Sequence, residues 1–489
     1  MRRLVGVLLC AAMVSGCSLI PDYLKPDLPV SDDWPQGPAY RVRPAAVGLV
    51  TPTSAEAIGW REFFTDQRLQ RLIELALANN RDLRIAALNV AGAEAQYRVQ
   101  RSDLFPKLNL TGNGSIQGLP ENNSGSGGIL SRFTGKNGGA SRLYTLNAGF
   151  TSYELDLFGR LRSLSRQAFE QYLGYDETRR STQISLVAQV ANDYLALLAD
   201  RELLRITRDT LASQSQSYAL TKATFDSGTA TGLALKQAET AVDTAQANLA
   251  QYIRQAAQDE NALVLLLGRS LPADLPTGFG LSDQSLMADV PAGLPSDLLA
   301  NRPDIMAAEH NLLAANANIG AARAAFFPSI SLTTSGGLQS TNLGTLFMGS
   351  ATVWSFAPQI TLPIFTAGQN QGNLDLAKIQ KDTTVARYEQ AIQTAFREVS
   401  DGLAARGTYL DQIQAQNALV AAYTEAYKLS DLRFRAGVDS FLPTLDSQRS
   451  LYTAQQTLIT LKQSQLVNLV TLYKALGGGW RERAASGPD

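Results

Sequence analysis

The stretch Phe434–Asp446, with the sequence FRAGVDSFLPTLD, interrupts two long helical patterns near the end of the chain. Gly437 permits the left-handed backbone conformation that commonly ends a helix. Pro443 suits the first turn of the next helix, where its missing N–H leaves no hydrogen bond unmade. The stretch therefore predicts the tip of a tight helical hairpin.

A related tip stands earlier in the chain, at Phe225–Gly228 (FDSG). In both copies the tip glycine is followed 40 residues later by the glycine of a Leu-Gly pair, at Gly268 and Gly477. The segments before the tips repeat as well, since residues 82–106 and 304–328 both run from an Asp through an Ala-rich helical pattern to a Phe-Pro pair. Although 489 residues would allow about three domains, the repeat predicts one fold made of two similar halves.

Each half contains two segments with the period-two alternation of β-strands. The first strand follows the Phe-Pro pair, and the return strands span Leu143–Leu157 and Thr352–Ile364. The alternation changes parity near Thr151-Ser152, which predicts a β-bulge. Four strands cannot close a hollow barrel, yet their alternation is typical of a membrane barrel wall. We therefore expect several chains to close the wall together.

Long helical patterns occupy most of the remaining chain. They span residues 158–225 and 365–434, and the return helices span residues 233–267 and 442–476. At 1.5 Å per residue, each of the longer helices would reach roughly 100 Å. Much of their surface is Ala, Gln, Ser and Thr, a composition that suits helices packed closely on two sides and solvated on the third.

The N-terminus has the features of an exported lipoprotein. A basic start and a short apolar run precede Val14–Cys17 (VSGC), which resembles the bacterial lipobox. That resemblance implies an S-diacylglycerol and an N-palmitoyl chain on Cys17, and Ser18 resembles the residue of lipoproteins sorted to the outer membrane. An ordinary signal peptide that happens to contain Cys is the alternative. With Cys10 removed and Cys17 acylated, the mature chain would have no disulfide, and we expect no other cofactor.

Residues 18 to about 52 are rich in proline, which favours an extended tether along the body of the protein. A disordered linker is the alternative. The formal net charge of −1 and the absence of a Lys/Arg run argue against nucleic acid as a partner.

The order and spacing of these features resemble the TolC-like outer membrane factors of Gram-negative bacteria, and most closely the lipid-anchored OprM/NodT branch. The matching residues are Gly16-Cys17, Pro21–Tyr23 with Pro26, Trp60 with Phe63 and Asp66, the two Phe-Pro pairs, Phe434–Asp446 and Leu472–Trp480. The resemblance implies an α+β membrane protein with an internal two-fold repeat. Long α-helical hairpins would form a periplasmic α-barrel, and each chain would contribute four strands to a trimeric 12-stranded transmembrane β-barrel.

The expected organisation follows from the repeat and the resemblance. In order, it comprises a lipoprotein signal peptide (1–16), an extended lipid-anchored segment (17–60), first-half equatorial helices (61–104), the first β-hairpin (105–157), the first long helical hairpin (158–268), an equatorial segment with second-half helices (269–326), the second β-hairpin (327–365), the second long helical hairpin (366–477) and a C-terminal tail (478–489).

The resemblance also implies the function and the partners. A homotrimer in the outer membrane, with a periplasmic tunnel closed at rest, would passively export small molecules such as drugs and toxic compounds. It would work in a tripartite efflux or type I secretion system. Its partners would be outer membrane lipid, a periplasmic adaptor (membrane fusion) protein and an inner-membrane RND-type or ABC-type pump.

Two sets of residues are the candidate sites. Asp446 matches an acidic ring at the periplasmic constriction, where three copies would attract cations, and Asp439 would add to it. Their alternatives are favourable placement in a helix dipole for Asp446 and an N-terminal helix cap for Asp439. The second set resembles the turns that dock the adaptor, and simple helix termination is compatible with that role. These tip residues are Phe225, Gly228, Phe434 and Gly437.

Two other classes of protein are compatible with an exported lipoprotein. The only histidine, His310, lies in an Ala-rich helical pattern and is expected to be structural. The sequence has no Cys/His cluster, Gly-rich phosphate loop or Gly-x-Ser-x-Gly motif, so an enzyme is disfavoured. A lipoprotein that acts on the cell wall and a periplasmic structural lipoprotein without a pore stay as alternatives.

Overall fold

The computed structural model describes residues 18–41, 55–118, 140–286 and 295–482. It is a helix-rich chain with a single described sheet. The α-helices are α1 Trp60–Phe63, α2 Gln67–Asn79, α3 Arg81–Ser102, α4 Arg160–Asp226, α5 Gly232–Leu267, α6 Leu298–Asn301, α7 Pro303–Ala324, α8 Gln369–Arg435 and α9 Phe441–Ala475. The strands are β1 Asn109–Gly118, β2 Ala140–Leu155, β3 Ser329–Ser340 and β4 Thr352–Thr361.

The two long helices are equal in length. Both α4 and α8 have 67 residues, which corresponds to roughly 100 Å each. No helix in the described ranges combines the length and the apolar character needed to cross a membrane.

The four strands form one antiparallel sheet in the order β1-β2-β3-β4. The two halves of the repeat meet between β2 and β3, where Leu146 pairs with Leu338. The register shifts between Phe150 and Tyr153, and Ser152 adopts a φ of 55°. This confirms the predicted bulge. Within the sheet, β1 and β4 are the outer strands.

Glycine stands in both Leu-Gly pairs for a steric reason. Gly268 and Gly477 stand at the ends of the two return helices, α5 and α9, and have φ values of 64° and 83°. A Cβ on Gly268 would stand 2.5 Å from the Asn79 carbonyl oxygen, and one on Gly477 would stand 2.4 Å from the Asn301 carbonyl oxygen. Both the backbone conformation and the close approach therefore require glycine.

The chain divides into two compact units. The first comprises the described residues within 18–26, 91–174 and 309–386, and contains the sheet. In it, the N-terminal segment lies along α7, where the Asn316 amide donates to the Pro21 carbonyl (2.8 Å) and Lys25 pairs with Glu309 (3.0 Å). His310 Nδ1 lies 2.8 Å from the buried Glu170 carboxylate, a contact that fits a structural residue.

The second unit comprises the described residues within 27–90, 175–308 and 387–482. In its core, Phe63 stacks on Tyr473, which lies near the end of the chain, with 4.0 Å between the ring centroids. Both residues belong to the motifs that carry the family resemblance. Asp66 is buried and caps α2 by accepting from the Arg68 amide. The same carboxylate accepts from the Tyr194 hydroxyl (3.0 Å), and burial next to this charge raises the pKa of that phenol.

Candidate functional site

The two hairpin tips have the same backbone structure. At the first tip the Gly228 amide donates to the Phe225 carbonyl at 2.8 Å, and at the second the Gly437 amide donates to the Phe434 carbonyl at 3.0 Å. The glycines have φ values of 81° and 71°. A Cβ on either would meet nothing within 4 Å. Glycine is thus required at the tips by backbone conformation and not by crowding.

The two tips differ in how the return helix begins. Thr231 caps α5 by accepting from the Ala234 amide at 3.2 Å. At the second tip the N-cap position is Ser440, whose side chain makes no capping bond. Asp439 instead accepts two hydrogen bonds from the Arg433 guanidinium, at 2.5 and 2.9 Å. The capping alternative for Asp439 is therefore wrong, since a neighbouring arginine occupies its carboxylate.

The Arg433–Asp439 pair also affects charge at the second tip. The hydrogen bonds and the positive charge of Arg433 lower the pKa of Asp439 below its ordinary value. Asp439 is therefore ionised at neutral pH, but its charge is balanced within the same tip.

Asp446 is exposed, and it is the sixth residue of α9, which begins at Phe441. Asp446 therefore lies in the second helical turn and not in the first turn that the dipole alternative assumed, and the helix begins one residue before the predicted start at Leu442. Since the helix dipole acts mainly within the first turn, this position weakens the dipole alternative. The residues beside it in sequence, Leu445 and Thr444, are buried against the rest of the second unit.

The two tip phenylalanines are not equivalent. Phe434 is half-buried, and its ring centroid lies 5.3 Å from that of the buried Phe441. It packs on a small apolar cluster that includes Ala238 and Ala241 of α5, so the second tip is attached to the first hairpin. Phe225 is 40% exposed. Of the two rings, that of Phe225 is the more accessible to a partner.

Several apolar side chains around the tips are exposed and were not among the predicted site residues. Their exposed fractions range from 47% to 70%. They are Leu233 (70%), Val438 (63%), Leu429 (59%), Leu432 (57%) and Leu442 (47%). Their position beside the tips is the only signal in the sequence that could have identified them.

A polar seam joins the first hairpin to the second above the tips. We use this name for seven side chains in or beside a cleft of about 180 Å³. They are Thr207, Ser213, Tyr427, Ser430, Ser447, Gln448 and Tyr452. The sequence reasoning missed them, because hydroxyl and amide residues at helical spacing are equally common on solvated faces.

Short hydrogen bonds connect the seam across helices. The hydroxyls of Ser213 and Tyr427 are 2.7 Å apart, as are those of Thr207 and Tyr452. Gln448 donates to Ser213 at 3.0 Å. Such bonds hold two helices in register, but each contributes only a modest net free energy, so the joint can be broken and remade.

Two carboxyl groups meet between α4 and α5. Burial raises the pKa of Asp259 to about 7, and its hydrogen bond and repulsion with Asp200 act in the same direction. The neighbouring Arg201 and Glu260 form an ion pair at 2.6 Å. One proton is therefore held between the two aspartates over much of the acidic range.

No group of three or more His, Cys, Asp or Glu side chains suited to a metal ion occurs in the described ranges. Cys17, the predicted lipidation site, lies outside the described residues.

Comparison with known proteins gives matches over nearly the whole chain. The family model described as "Outer membrane efflux protein" matches residues 72–269 and 294–478. The toluene efflux pump outer membrane protein TtgC of Pseudomonas putida is 52% identical over 484 residues, which cover 99% of this chain and 96% of that protein. Outer membrane protein OprJ of Pseudomonas aeruginosa is 42% identical over 479 residues, which cover 98% of this chain and 96% of OprJ.

Solved structures agree with these matches. The structure of the open state of the Neisseria gonorrhoeae MtrE outer membrane channel matches with 38% sequence identity and a TM-score of 0.84. The match covers 96% of this chain and 100% of the MtrE chain. The Campylobacter jejuni CmeC outer membrane channel is 26% identical, with a TM-score of 0.85 and coverage of 95% and 96%.

Proposed function

Because the chain belongs to the outer membrane efflux protein family, we propose that it is a passive trimeric conduit whose helical tips form a gate. Family membership confirms the predicted family, fold class, outer membrane location and efflux function. The relatives are named as outer membrane proteins of efflux pumps, and we propose that this chain works with a periplasmic adaptor and an inner-membrane pump, as predicted. We further propose that the cargo consists of apolar organic compounds, because the names of the relatives refer to toluene, solvents and antibiotics.

The observation that carries the conduit is the sheet. Its outer strands β1 and β4 each present one edge that no strand of the described chain pairs with. Large apolar side chains on these strands are exposed, including Leu110 (73%), Trp354 (82%) and Ile360 (68%). Unpaired edges and exposed apolar rows are costly in an isolated chain. Three copies that pair β4 with β1 would remove every edge and place the apolar rows against lipid.

We propose that the gate lies at the tips and in the polar seam. Three copies of Asp446 would form the acidic ring, and cations would be favoured there over anions. Asp439 would contribute less than expected, because Arg433 balances its charge. The exposed apolar residues and Phe225 would take part in docking the adaptor, with Gly228, Phe434 and Gly437 setting the shape of the tips. Docking would open the gate by breaking bonds of the seam.

We also propose that the chain carries a lipid anchor on Cys17. The segment that follows Cys17 lies along α7, where the Leu19 and Pro21 carbonyls accept hydrogen bonds from Arg323 and Asn316. A segment held on the protein surface in this way supports a tether over a free linker. Replacing Cys17 by Ala should remove the lipid mass from the mature protein while the trimer still assembles. A variant that fails to assemble would make the anchor structural.

We propose a pore and no covalent chemistry for the chain. The pore distinguishes it from a structural lipoprotein, and the lack of covalent chemistry distinguishes it from a lipoprotein enzyme. The decisive experiment reconstitutes the purified full chain in planar bilayers and, in parallel, deletes its gene and measures tolerance to toluene. A conduit should give discrete conductance steps, and its loss should lower tolerance. A trimer that gives no conductance would overturn the conduit.

A further inference from the structure

The internal repeat allows the two long hairpins to be compared residue by residue. An offset of 209 carries the first hairpin onto the second without a gap, because it superposes the left-handed glycines that bound the helices. These glycines are Gly159, Gly228 and Gly268 in the first half, and Gly368, Gly437 and Gly477 in the second. Each contact between α8 and α9 therefore has a predicted equivalent between α4 and α5.

In the second hairpin, one of these contacts is an amide hydrogen bond. The Asn468 side chain of α9 donates to the Gly402 carbonyl of α8 at 3.0 Å. Neither an amide nor a backbone carbonyl titrates, so this contact does not change with pH while the protein is folded.

The equivalent positions of the first hairpin carry carboxyl groups. Asp259 of α5 is equivalent to Asn468, and Asp193 of α4 is equivalent to Gly402. A second carboxyl group of α4, that of Asp200, is hydrogen-bonded to Asp259. An aspartate can donate a hydrogen bond, as an asparagine does, only while it carries a proton. The joint between α4 and α5 therefore depends on a proton that the joint between α8 and α9 does not need.

The surroundings of Asp259 make its ionisation costly. Its Oδ2 atom is buried and has no hydrogen-bond partner in the described chain. Burial raises the pKa of Asp259 to about 7, and the neighbouring Asp200 and Asp193 act in the same direction. Burial also raises the pKa values of Asp193 and Asp200. Loss of the shared proton would therefore leave like charges in contact, and these repel one another.

Basic side chains on the neighbouring turns do not relieve this repulsion, because each has another partner. They are Arg201, which pairs with Glu260 at 2.6 Å, Arg205, which pairs with Glu202 at 2.7 Å, and Lys462 of α9, which donates to the Ser282 hydroxyl at 3.1 Å. Within the described ranges, no lysine or arginine forms an ion pair with Asp200 or Asp259. A proton is therefore the group that neutralises the pair.

The carboxyl pair lies next to the polar seam, and Tyr252 of α5 connects the two. Burial raises the pKa of Tyr252, and both Asp200 and the seam residue Tyr452 are near enough to raise it further. The Tyr252 hydroxyl accepts from the Gln456 amide of α9 at 2.8 Å, and Tyr452 is 2.7 Å from Thr207 of α4. A movement of α5 at the carboxyl pair would therefore reach the seam.

We infer that Asp200 and Asp259 form a proton-dependent joint that couples the resting state of the gate to pH. With one proton between them, the carboxyl groups hold α4 and α5 together. With no proton they repel, and the attachment of α5 to the seam through Tyr252 loosens. The inference rests on the proposed function, because it takes the polar seam as part of the gate.

The direction of the effect follows from the linkage between proton binding and conformation. The pair binds its proton more tightly while α4 and α5 are held together than when they separate, so protonation favours the closed state. The open probability at rest should therefore be low in acid and should rise as pH increases through about 7.

The test is single-channel recording of the purified full chain in planar bilayers between about pH 5.5 and about pH 8.5. The resting open probability of the wild type should rise at least about fivefold over this range, which is the lower end of ordinary coupling between sites. Asp259→Asn installs the amide of the second hairpin and should keep the low open probability at every pH. The matched control is Asp243→Asn, the same change at an exposed position of α5, which should keep the pH dependence of the wild type.

A charge reversal provides a second measurement. In Asp200→Lys, ionised Asp259 would face an ammonium group, so attraction replaces repulsion and the open probability should fall as pH rises. Asp200→Asn removes the repulsion alone and should abolish the pH dependence. Because it is close to isosteric, it keeps the test decisive where the lysine variant does not assemble.

The outcomes separate the joint from the conduit. An open probability of the wild type that does not change with pH, or an Asp259→Asn variant that keeps the wild-type dependence, would refute the joint. So would an Asp259→Asn variant that changes the pH dependence of thermal unfolding but not that of the open probability, since the pair would then serve stability alone. A wild-type trimer with no conductance at any pH would instead refute the proposed function.

Discussion

The strongest prediction concerns the bonds of the polar seam. Replacing Tyr427 and Tyr452 by Phe removes two hydroxyls that each lie 2.7 Å from a partner on α4. Neither change leaves a buried group without a bond, because Ser213 still accepts from Gln448 and Thr207 still donates to the Leu203 carbonyl. The loss per bond should therefore be the net value, about 1 kcal/mol, and not a larger desolvation penalty.

If these bonds break on opening, the double variant should favour the open state by about 2 kcal/mol per chain. At room temperature this corresponds to roughly a 30-fold change per chain in the equilibrium between the closed and open states, since each 1.4 kcal/mol is a factor of about ten. Single-channel recording should show a higher open probability at rest. Cells that express the variant should also admit a bulky antibiotic that the closed channel excludes.

The control is Tyr175→Phe, the same chemical change at a side chain that is 47% exposed. It should leave the resting conductance unchanged. Ser213→Ala combined with Tyr427→Phe should cost less than the sum of the two single changes, because they remove the same bond. A trimeric double tyrosine variant with the resting conductance of the wild type would refute the seam as part of the gate.

Three further predictions concern charge and backbone. Asp446→Ala should raise conductance and weaken cation preference, and an unchanged reversal potential in a salt gradient would remove the acidic ring. The raised pKa of Asp259 means that the folded state keeps a proton that the unfolded state releases, so stability should fall as pH rises from about 4 to about 7. Asp259→Asn should flatten this slope in thermal unfolding, and an identical slope in the variant would contradict it. Gly437→Ala should destabilise the second tip by about 1–2 kcal/mol, because alanine is strained in the left-handed backbone conformation. The control is Gly372→Ala in α8, where φ is not positive and no loss of stability is expected. Equal melting temperatures for the two variants would contradict this reasoning.

The fold was largely predictable because its decisive features are local. Gly228 and Gly437 identify the tips since few other residues adopt a positive φ at low cost, and the β-bulge appears directly as a change of parity. The position of Asp446 within its helix was less accurate, because a proline tolerated in the first turn does not fix which residue begins that turn. The polar seam was not predictable, since its residue types do not distinguish a solvated face from a face in contact with another hairpin.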